Sequence, residues 1–541
     1  MAKMTGGQAI VDSLIANGVT QVFGVPGAQL DYSFSAMYDR SDEISIIHTR
    51  HEQGAAYMAY GFAQSTGRVG AFFVVPGPGL LNATAAISTG YACNTPMMCI
   101  SGQIPSDKIN MGTGQLHEIR DQIEIAEKIT KFARRIDSPE ETPSIMARAF
   151  NELSSGRIRP VEIEMAMDIM PMQAEVTEAI TIKKRAPRAP KDKTIKKAAE
   201  MLRNAKRPVL FIGGGTLDAS EEVRELAKVL KAPVVPSVNA LGVVDARDEY
   251  AYAPVAGHYF WKEADVVVGI GTRMTPQLDG WGVDENMKVI RLDIDAIEMQ
   301  IFGIPDVGIE CDAGKGAKAL ADALGDCDAK WPAETLKQIK DDVEKEINIM
   351  APQVEYLNVI RDELPEDGHF VTDLTQMGYA SRDAFPVYNP RTYLYPSYQG
   401  TLGHSYATGL GVQVAHPDKK VVTVAGDGGF LFNVQELATA VQFNIPMVCI
   451  VFNDNAYGNV QRIQQTSHEG RVIASDLVNP DFVKLGESFG VKSCRTDTSE
   501  GLRAALKEAF DHDGPNLIEV QMKLEDIPAP WHLYFRPRVR G

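Results

Sequence analysis

Short runs of apolar, β-branched and aromatic residues recur along the chain, separated by stretches with helical spacing. The runs are VTQVFGV (19–25), ISIIHT (44–49), VGAFFVV (69–75), MMCISG (97–102), PVLFIGG (208–214), DVVVGIG (265–271), KVIRLDI (288–294), KVVTVAGD (420–427) and MVCIVFND (447–454). Runs this continuous predict strands buried on both faces, as in parallel sheets covered by helices. The expected fold class is α/β, built of doubly wound parallel sheets. Two stretches interrupt the alternation. Residues 181–193, TIKKRAPRAPKDK, are basic and hold two prolines, which reads as a linker. Residues 325–366 read as a charged helical connector. These cuts predict three domains, at 1–180, 190–330 and 355–541. The first and last share a theme of strand, glycine-rich turn and helix, which admits one architecture used twice.

Composition narrows the function classes. The chain has 541 residues, 44% hydrophobic and 23% charged, which is ordinary for a globular protein with more than one core. No apolar run approaches the roughly 20 residues that span a bilayer, and the N-terminal MAKMTGGQAIVDSL lacks the layout of a signal peptide. A net charge of −17 argues against coating nucleic acid. Six cysteines are scattered with no CxxC pair, as expected of reduced thiols in a cytoplasmic protein.

The strongest constellation is KVVTVAGDGGFLFNVQELATAVQFNIPMVCIVFND (420–454). It reads as strand, Gly-Asp-Gly-Gly turn, helix at about 433–443, stop, strand. A right-handed crossover places both strands in one sheet, pointing the same way. Asp427 and Asp454 then stand at strand carboxyl ends, where open α/β sheets bind ligands. Two such oxygen ligands suit Mg²⁺, which also prefers phosphate oxygens. Gly426, Gly428 and Gly429 let the backbone approach a phosphate. GDGG alone is equally a simple turn. The second acidic strand end, 27 residues on (427 to 454), favours a site.

This pattern, closing on Asn453-Asp454-Asn455, resembles the signature of thiamine-diphosphate-dependent decarboxylases and acetolactate synthases. GVPGAQL (24–30), RHEQGAAYMAYGFAQSTG (50–67), PGPGLLNATAAIS (76–88), NTP (94–96) and SGQIP (101–105) look like the pyrimidine-binding domain of acetolactate synthase-like enzymes. The resemblance runs from about residue 5 to 525. It implies pyrimidine-binding, central and diphosphate-binding domains, with thiamine diphosphate and Mg²⁺ as cofactors. The metal ligands would be Asp427, Asp454 (where most relatives carry Asn) and the carbonyl of Ala456. Gly428, Gly429 and Gln376 would meet the diphosphate. The wider cofactor-binding set is Gly27, Pro76, Gly400, Leu402, Gly426, Asn455, Tyr457 and Gly458. In isolation Glu52 reads as a helix-capping residue. In the family a glutamate at this place hydrogen-bonds N1′ of the cofactor pyrimidine and starts removal of the thiazolium C2 proton. Leu402 would bend the cofactor, and the Gly400 carbonyl would accept from its 4′-amino group. Because the family shares each cofactor between subunits, the resemblance implies a homodimer or homotetramer.

Other readings follow from departures and loose ends. Arg273 matches a family arginine near FAD. With the glycine turns FIGGGT (211–216) and GIGTRM (269–274), it raises FAD or ADP in the central domain. Gln277 stands where acetolactate synthases carry the arginine that holds the acceptor carboxylate, and Ile463 where they carry a tryptophan. Ala28, Val460 and Ile463 are the expected substrate pocket. His117 and Gln29 are further catalytic candidates, and His404 a group near the cofactor. Thus the resemblance implies a 2-oxo acid decarboxylase or carboligase with an altered acceptor pocket. The C-terminal IPAPWHLYFRPRVRG (527–541), with Arg536, Arg538 and Arg540, reads as a tail on a neighbouring subunit, or as a lid or anion patch for a CoA thioester. A 2-hydroxyacyl-CoA lyase, an oxalyl-CoA decarboxylase-like enzyme and a non-catalytic paralogue are the alternatives.

Overall fold

The computed structural model describes residues 1–183, 185–328 and 330–541. Lys184 of the expected linker and Ala329 of the expected connector lie outside the described residues. The strands, in chain order, are β1 (Ala2–Thr5), β2 (Gln21–Gly24), β3 (Ser45–His48), β4 (Gly70–Val74), β5 (Met97–Gln103), β6 (Phe132–Ile136), β7 (Val161–Ala166), β8 (Gln173–Val176), β9 (Pro208–Ile212), β10 (Val234–Pro236), β11 (Val266–Ile270), β12 (Lys288–Asp293), β13 (Val307–Glu310), β14 (His369–Thr372), β15 (Tyr393–Leu394), β16 (Val421–Gly426), β17 (Val448–Asn453), β18 (Lys492–Thr496) and β19 (Asn516–Gln521). They form three parallel sheets, in the orders β3-β2-β4-β5-β7-β6, β10-β9-β11-β12-β13 and β15-β14-β16-β17-β19-β18, while β1 pairs antiparallel with β8.

Each apolar run in the sequence becomes a strand, because an uninterrupted Val/Ile/Phe segment can only be buried with helices on both of its faces. β4, β5 and β17 are buried along their whole length. The first and third sheets have the same strand order by position in their segments: second, first, third, fourth, sixth, fifth. The architecture is therefore used twice. In each sheet the chain leaves the first strand in one direction and returns on its other side, which opens a crevice at the carboxyl ends.

The first and third domains meet through two helices, Glu52–Thr66 and His404–Ala415. Small residues allow the close approach. A Cβ on Gly61 would strike the carbonyl of Thr408, and one on Gly411 the carbonyl of Met58. Tyr57 donates its hydroxyl to Thr401 Oγ1 at 2.8 Å across this seam. The expected connector is two helices, Ala333–Asn348 and Ala351–Glu363. No helix among the described residues is long and apolar enough to cross a membrane.

Candidate active site

The third sheet puts three carboxylates at its carboxyl edge. Asp373 follows β14, Asp427 follows β16 and Asp454 follows β17. In register, Gly426 lies opposite Phe452, so Asp427 and Asp454 leave the sheet side by side. The GDGG turn is itself a single helical turn, Asp427–Phe430, and the helix expected at 433–443 is a 3₁₀ turn followed by Leu437–Gln442. Burial and the facing Asp427 push Asp454 up to about 7. Burial likewise raises Asp427, against the pull of the Asn479 amide, which donates to its Oδ2 at 2.6 Å. Like charges held this close without a cation disfavour ionisation. Asn479 also donates to Asn453 Oδ1 at 3.0 Å and to Asn455 Oδ1 at 3.3 Å. The backbone N–H of Ala456 turns back to Asp454 Oδ1, and Asn455 holds a positive φ of 56° that bends the loop towards the strand ends. No group of three His, Cys, Asp or Glu that could hold a metal occurs among the described residues. The donor set is two carboxylates with amide and carbonyl oxygens around them. It fits a hard cation such as Mg²⁺ that takes its remaining ligands from phosphate or water.

The flanking glycines are fixed by close packing. A Cβ on Gly428 would meet the Tyr457 ring at 2.6 Å, and one on Gly429 would come within 3.3 Å of Asp373 Oδ2. Gly458 opens the helix Gly458–Ser467 directly beneath the Asp454 carboxylate. Gln376, the first residue of the helix Gln376–Ala384, donates to Asn459 Oδ1 at 3.0 Å, which ties the ends of β14 and β17 together. Val460 and Ile463 project from the Gly458 helix, 51% and 42% exposed, so this side of the cleft is an uncovered apolar wall. Leu402 is half-buried and belongs to none of the hydrophobic cores, and Gly400 beside it has a φ of 60°.

The first sheet supplies a second cluster at the equivalent edge. Glu52 begins the helix after β3, with His51 as N-cap, and its Oε2 accepts from Asn82 at 2.9 Å. The turn after β4 holds Pro76 and Gly77. Gly77, with a φ of 58°, lies against the carbonyl of His117, and Gly79 faces Glu52 Oε1. His117 and Gln29 are brought together: His117 Nδ1 lies 3.2 Å from Gln29 Oε1, and Gln29 Nε2 donates to the Leu116 carbonyl. Gln29 is buried, whereas Ala28 next to it is exposed. Gly27 packs on Val75, where a Cβ would not fit. Glu52, Pro76, Gln29 and His117 thus line one edge of one sheet.

Three site-supporting residues escaped the sequence reading. Glu436, fully buried, accepts the backbone N–H groups of Arg50 and His51, so a carboxylate of the third domain sits on the N-terminus of the Glu52 helix. Asp373 is pushed up to about 6 by burial, and backbone amides at Leu374, Gly403 and Ser405 pull the other way. Gln122 accepts from Gly77 N–H at 2.8 Å and donates to Glu164 and the Gly102 carbonyl. The run QEL after GDGG was the one available hint for Glu436. Its partner lies 386 residues away in the chain, beyond any local pattern.

Two expectations need correction, and the residues behind a third have another account. His404 does not face a cleft. It is fully buried between the rings of Tyr57 and Tyr60 at 5.4 and 5.3 Å, and burial holds it down at about 3, so it stays neutral. The C-terminal arginines form neither a lid nor an anion patch, and the tail packs on its own chain. Arg536 pairs with both oxygens of Glu346, and Arg540 donates to the carbonyls of Trp261, Lys262 and Ala264 and to Asp284. His258 Nε2 meets the Pro537 carbonyl, while Tyr534 donates to the Tyr379 carbonyl, so the tail straps the third domain to the central one. The central glycine turns close on each other rather than forming a cradle: Gly215 N–H donates to the Gly271 carbonyl, and Cβ atoms on Gly213 and Gly215 would strike residues 271 and 272. Arg273 is engaged too, by the Ala92 carbonyl, Glu298 and the Tyr398 ring. The glycines and the arginine that raised FAD or ADP are accounted for by packing.

Three family models match the chain in series. They are the N-terminal TPP binding domain of thiamine pyrophosphate enzymes over residues 4–125, the central domain over 195–320 and the C-terminal TPP binding domain over 373–520. The chain belongs to the thiamine pyrophosphate enzyme family and resembles acetolactate synthase. Similar proteins include a probable 2-ketoarginine decarboxylase of Pseudomonas aeruginosa, 32% identical over 96% of this chain and 94% of that protein. Acetolactate synthase isozyme 1 large subunit of Escherichia coli is 30% identical over 98% and 96%. A probable acetolactate synthase large subunit of Methanocaldococcus jannaschii is 33% identical over 96% and 92%.

Proposed function

We propose that the protein is a thiamine-diphosphate- and Mg²⁺-dependent 2-oxo acid decarboxylase or carboligase. The observation that supports this reading is the Asp427/Asp454 pair, held at adjacent strand ends with Asp454 raised to about 7 by burial and by Asp427. Asp427, Asp454 and the Ala456 carbonyl would hold the metal, with Gly428, Gly429 and Gln376 on the diphosphate. When bound, the cofactor supplies a carbon nucleophile and an electron sink for C–C cleavage. The chain's own work is orientation and proton transfer. Glu52 holds the proton at the pyrimidine N1′ and is fixed there by Asn82 and by Glu436 on its helix. Leu402 and the Gly400 carbonyl would hold the cofactor's ring end, with Gly27, Pro76, Gly426, Asn455, Tyr457 and Gly458 shaping the walls. Gln29 and His117, 3.2 Å apart, would meet the reacting carbonyl as a pair. Ala28, Val460 and Ile463 form the acceptor side, and the absence of an arginine at Gln277 favours acceptors without a carboxylate.

The working unit is a homodimer or homotetramer, with the exposed Phe432 and Val441 covered by a partner, and the compartment is the cytoplasm. The CoA-thioester alternative loses its support, because Arg536 and Arg540 are engaged within the chain. The test is proton NMR of the protein with thiamine diphosphate, Mg²⁺ and a panel of 2-oxo acids including pyruvate and 2-ketoarginine, with and without an aldehyde. CO₂ loss or a hydroxyketone is expected, with Glu52→Gln slower by about 10²–10⁴-fold. Cofactor binding with every 2-oxo acid untouched would overturn the reading.

A further inference from the structure

Two side chains at the edge of the first sheet fix each other's hydrogen-bonding roles. Gln29, in the turn after β2, is 2% exposed, and His117, in the loop between β5 and the helix Gln122–Ile129, is half-buried. Gln29 Nε2 donates to the Leu116 carbonyl at 3.2 Å, and Gln29 Oε1 lies 3.2 Å from His117 Nδ1. Among the described residues the other ring nitrogen, Nε2, has no hydrogen-bond partner. The loop keeps its shape through Glu118, whose carboxylate accepts from the N–H groups of Gly112, Gly114 and Gln115 at 2.8, 2.7 and 2.9 Å. His117 itself has a φ of 69°, in the left-handed region that residues with a Cβ seldom adopt. Its carbonyl packs on Gly77, where a Cβ would lie 2.3 Å away. Backbone strain of this kind persists only where the surroundings over-determine it.

A side-chain amide has two unlike ends: the NH₂ only donates and the oxygen only accepts. The Leu116 carbonyl also only accepts, so it fixes which end of the Gln29 amide it meets. The reversed amide would set two acceptors face to face in a buried place. Oε1 is thereby the end that meets His117, and an acceptor there requires a proton on Nδ1. A neutral imidazole carries one N–H, so the lone pair is on Nε2. Histidine in water prefers the opposite tautomer, with the proton on Nε2. A partner on one ring nitrogen thus assigns the work of the other.

We propose that Gln29 is a positioning residue that holds neutral His117 in the Nδ1–H tautomer, leaving Nε2 as the base that exchanges a proton with an oxygen of the substrate. The tautomer stands on the contacts of these two side chains, while the proton exchange rests on the 2-oxo acid reading of the cleft. The Nε2 lone pair takes the proton of a substrate O–H. The ring becomes imidazolium with its Nδ1–H still on Gln29, and the Nε2–H then returns that proton to the carbonyl oxygen of the next substrate molecule.

Magic-angle-spinning NMR of the full-length protein, its histidines labelled with ¹³C and ¹⁵N, reads the tautomer at pH 8. Protonated and lone-pair nitrogens give separate signals, and His117→Asn identifies those of His117 by their loss. The native protein is expected to show the Nδ1–H form. Gln29→Met should turn mainly to Nε2–H, and Gln29→Glu, which keeps an oxygen opposite Nδ1, should restore Nδ1–H. With thiamine diphosphate, Mg²⁺ and a 2-oxo acid that the native protein turns over, Gln29→Met is expected to lose about 10²-fold in kcat with KM within about threefold, the lower end of what proton transfer contributes. Nε2–H in the native protein, Nδ1–H retained in Gln29→Met, or a switch of tautomer with kcat unchanged would each overturn the proposal. The native spectrum decides by itself if Gln29→Met does not fold. The spectra need neither cofactor nor substrate, so failure of every 2-oxo acid to react would sink the reading of the cleft and leave the tautomer standing.

Discussion

Two buried carboxylate pairs sit in two sheets of the same strand order, and they behave differently. On β7, Glu162 and Glu164 are fully buried on one face of the first sheet, both pushed up by burial, and Glu162 also by its neighbour. At the ends of β16 and β17, Asp427 and Asp454 are raised by the same causes. The interior pair is surrounded by donors from adjoining elements: Ser101 on Glu162, and Gln103, Gln122 and Arg135 on Glu164. The pair at the edge has Asn479 on one member and, on the other, only the N–H of its own loop. A shifted carboxyl therefore does not mark a site by itself. Its position does: mid-strand carboxyls are enclosed by the protein's own side chains, while those at the crevice face the space a ligand can enter. The interior pair is still linked to function, since Gln122 carries it to Gly77 in the turn facing Glu52.

The largest test removes one edge carboxylate. Asp427→Ala is expected to weaken Mg²⁺-dependent thiamine diphosphate binding by about 10²-fold or more, since even supporting residues of metal sites are worth 10–100-fold. Glu162→Gln should leave that binding within about twofold. Fluorescence titration of both variants checks the contrast, and equal losses would break it. A pH series sharpens the same point. Asp454 holds its proton up to about 7 in the cation-free protein, so below that pH the metal must displace a proton. Mg²⁺ affinity should fall about tenfold per unit as pH drops below 7. Asp454→Asn should flatten that slope, at the expense of affinity above pH 7.

A middle-sized effect is expected where the two sheets are joined. Glu436 belongs to the third domain yet accepts from Arg50 and His51, at the start of the helix that Glu52 opens. Burial raises its pKa, and those backbone donors pull it down. A carboxylate at a helix N-terminus is worth up to about 2 kcal/mol in partly buried geometry. Glu436→Gln should therefore lower kcat by roughly tenfold with little change in thiamine diphosphate affinity, and Glu436→Asp should recover part of it. A matching loss of cofactor affinity would instead make Glu436 part of the binding wall.

Much of the frame was legible because parallel strands announce themselves as uninterrupted apolar runs. KVVTVAGD and MVCIVFND became β16 and β17, adjacent and in register. Asp427 and Asp454 were legible as strand-end carboxylates because each closes such a run, whereas Glu52 was singled out only by the family resemblance, since on its own it reads as a helix cap. Strands with polar or charged alternation were not legible: β7 is VEIEMA, whose two glutamates break the apolar run, and only the fold shows Ser101, Gln103 and Gln122 closing over them. Long-range partners were hidden for the same reason. Nothing near residue 52 points to Glu436, and nothing near 427 points to Asn479. The tail misled in the opposite sense. Three arginines in a row of aromatics look like an exposed patch, and only the carbonyls at the end of the Ala256–Glu263 helix show that Arg540 is already satisfied.

The smallest expected effect lies in the interior pair, and it concerns stability alone. Glu162 has one oxygen on Ser101 Oγ and the other without a partner. Its folded-state pKa lies well above the ordinary 4.5, from burial first and then from Glu164. A group raised in this way stabilises the fold fully below its unfolded pKa, and that contribution is lost as pH rises through the folded value. In the native chain stability should thus decline from about pH 4.5 upward as the unfolded state sheds a proton that the folded state retains. Glu162→Gln keeps the shape and removes the titration. It should match the native chain at pH 4.5 and gain about 1 kcal/mol at pH 8, the scale of one unsatisfied buried polar atom. Urea unfolding at the two pH values reads the difference. A variant less stable than the native chain at pH 8 would mean that the Glu162 charge is matched by donors after all, and the interior pair would then differ from the edge pair in satisfaction rather than in position.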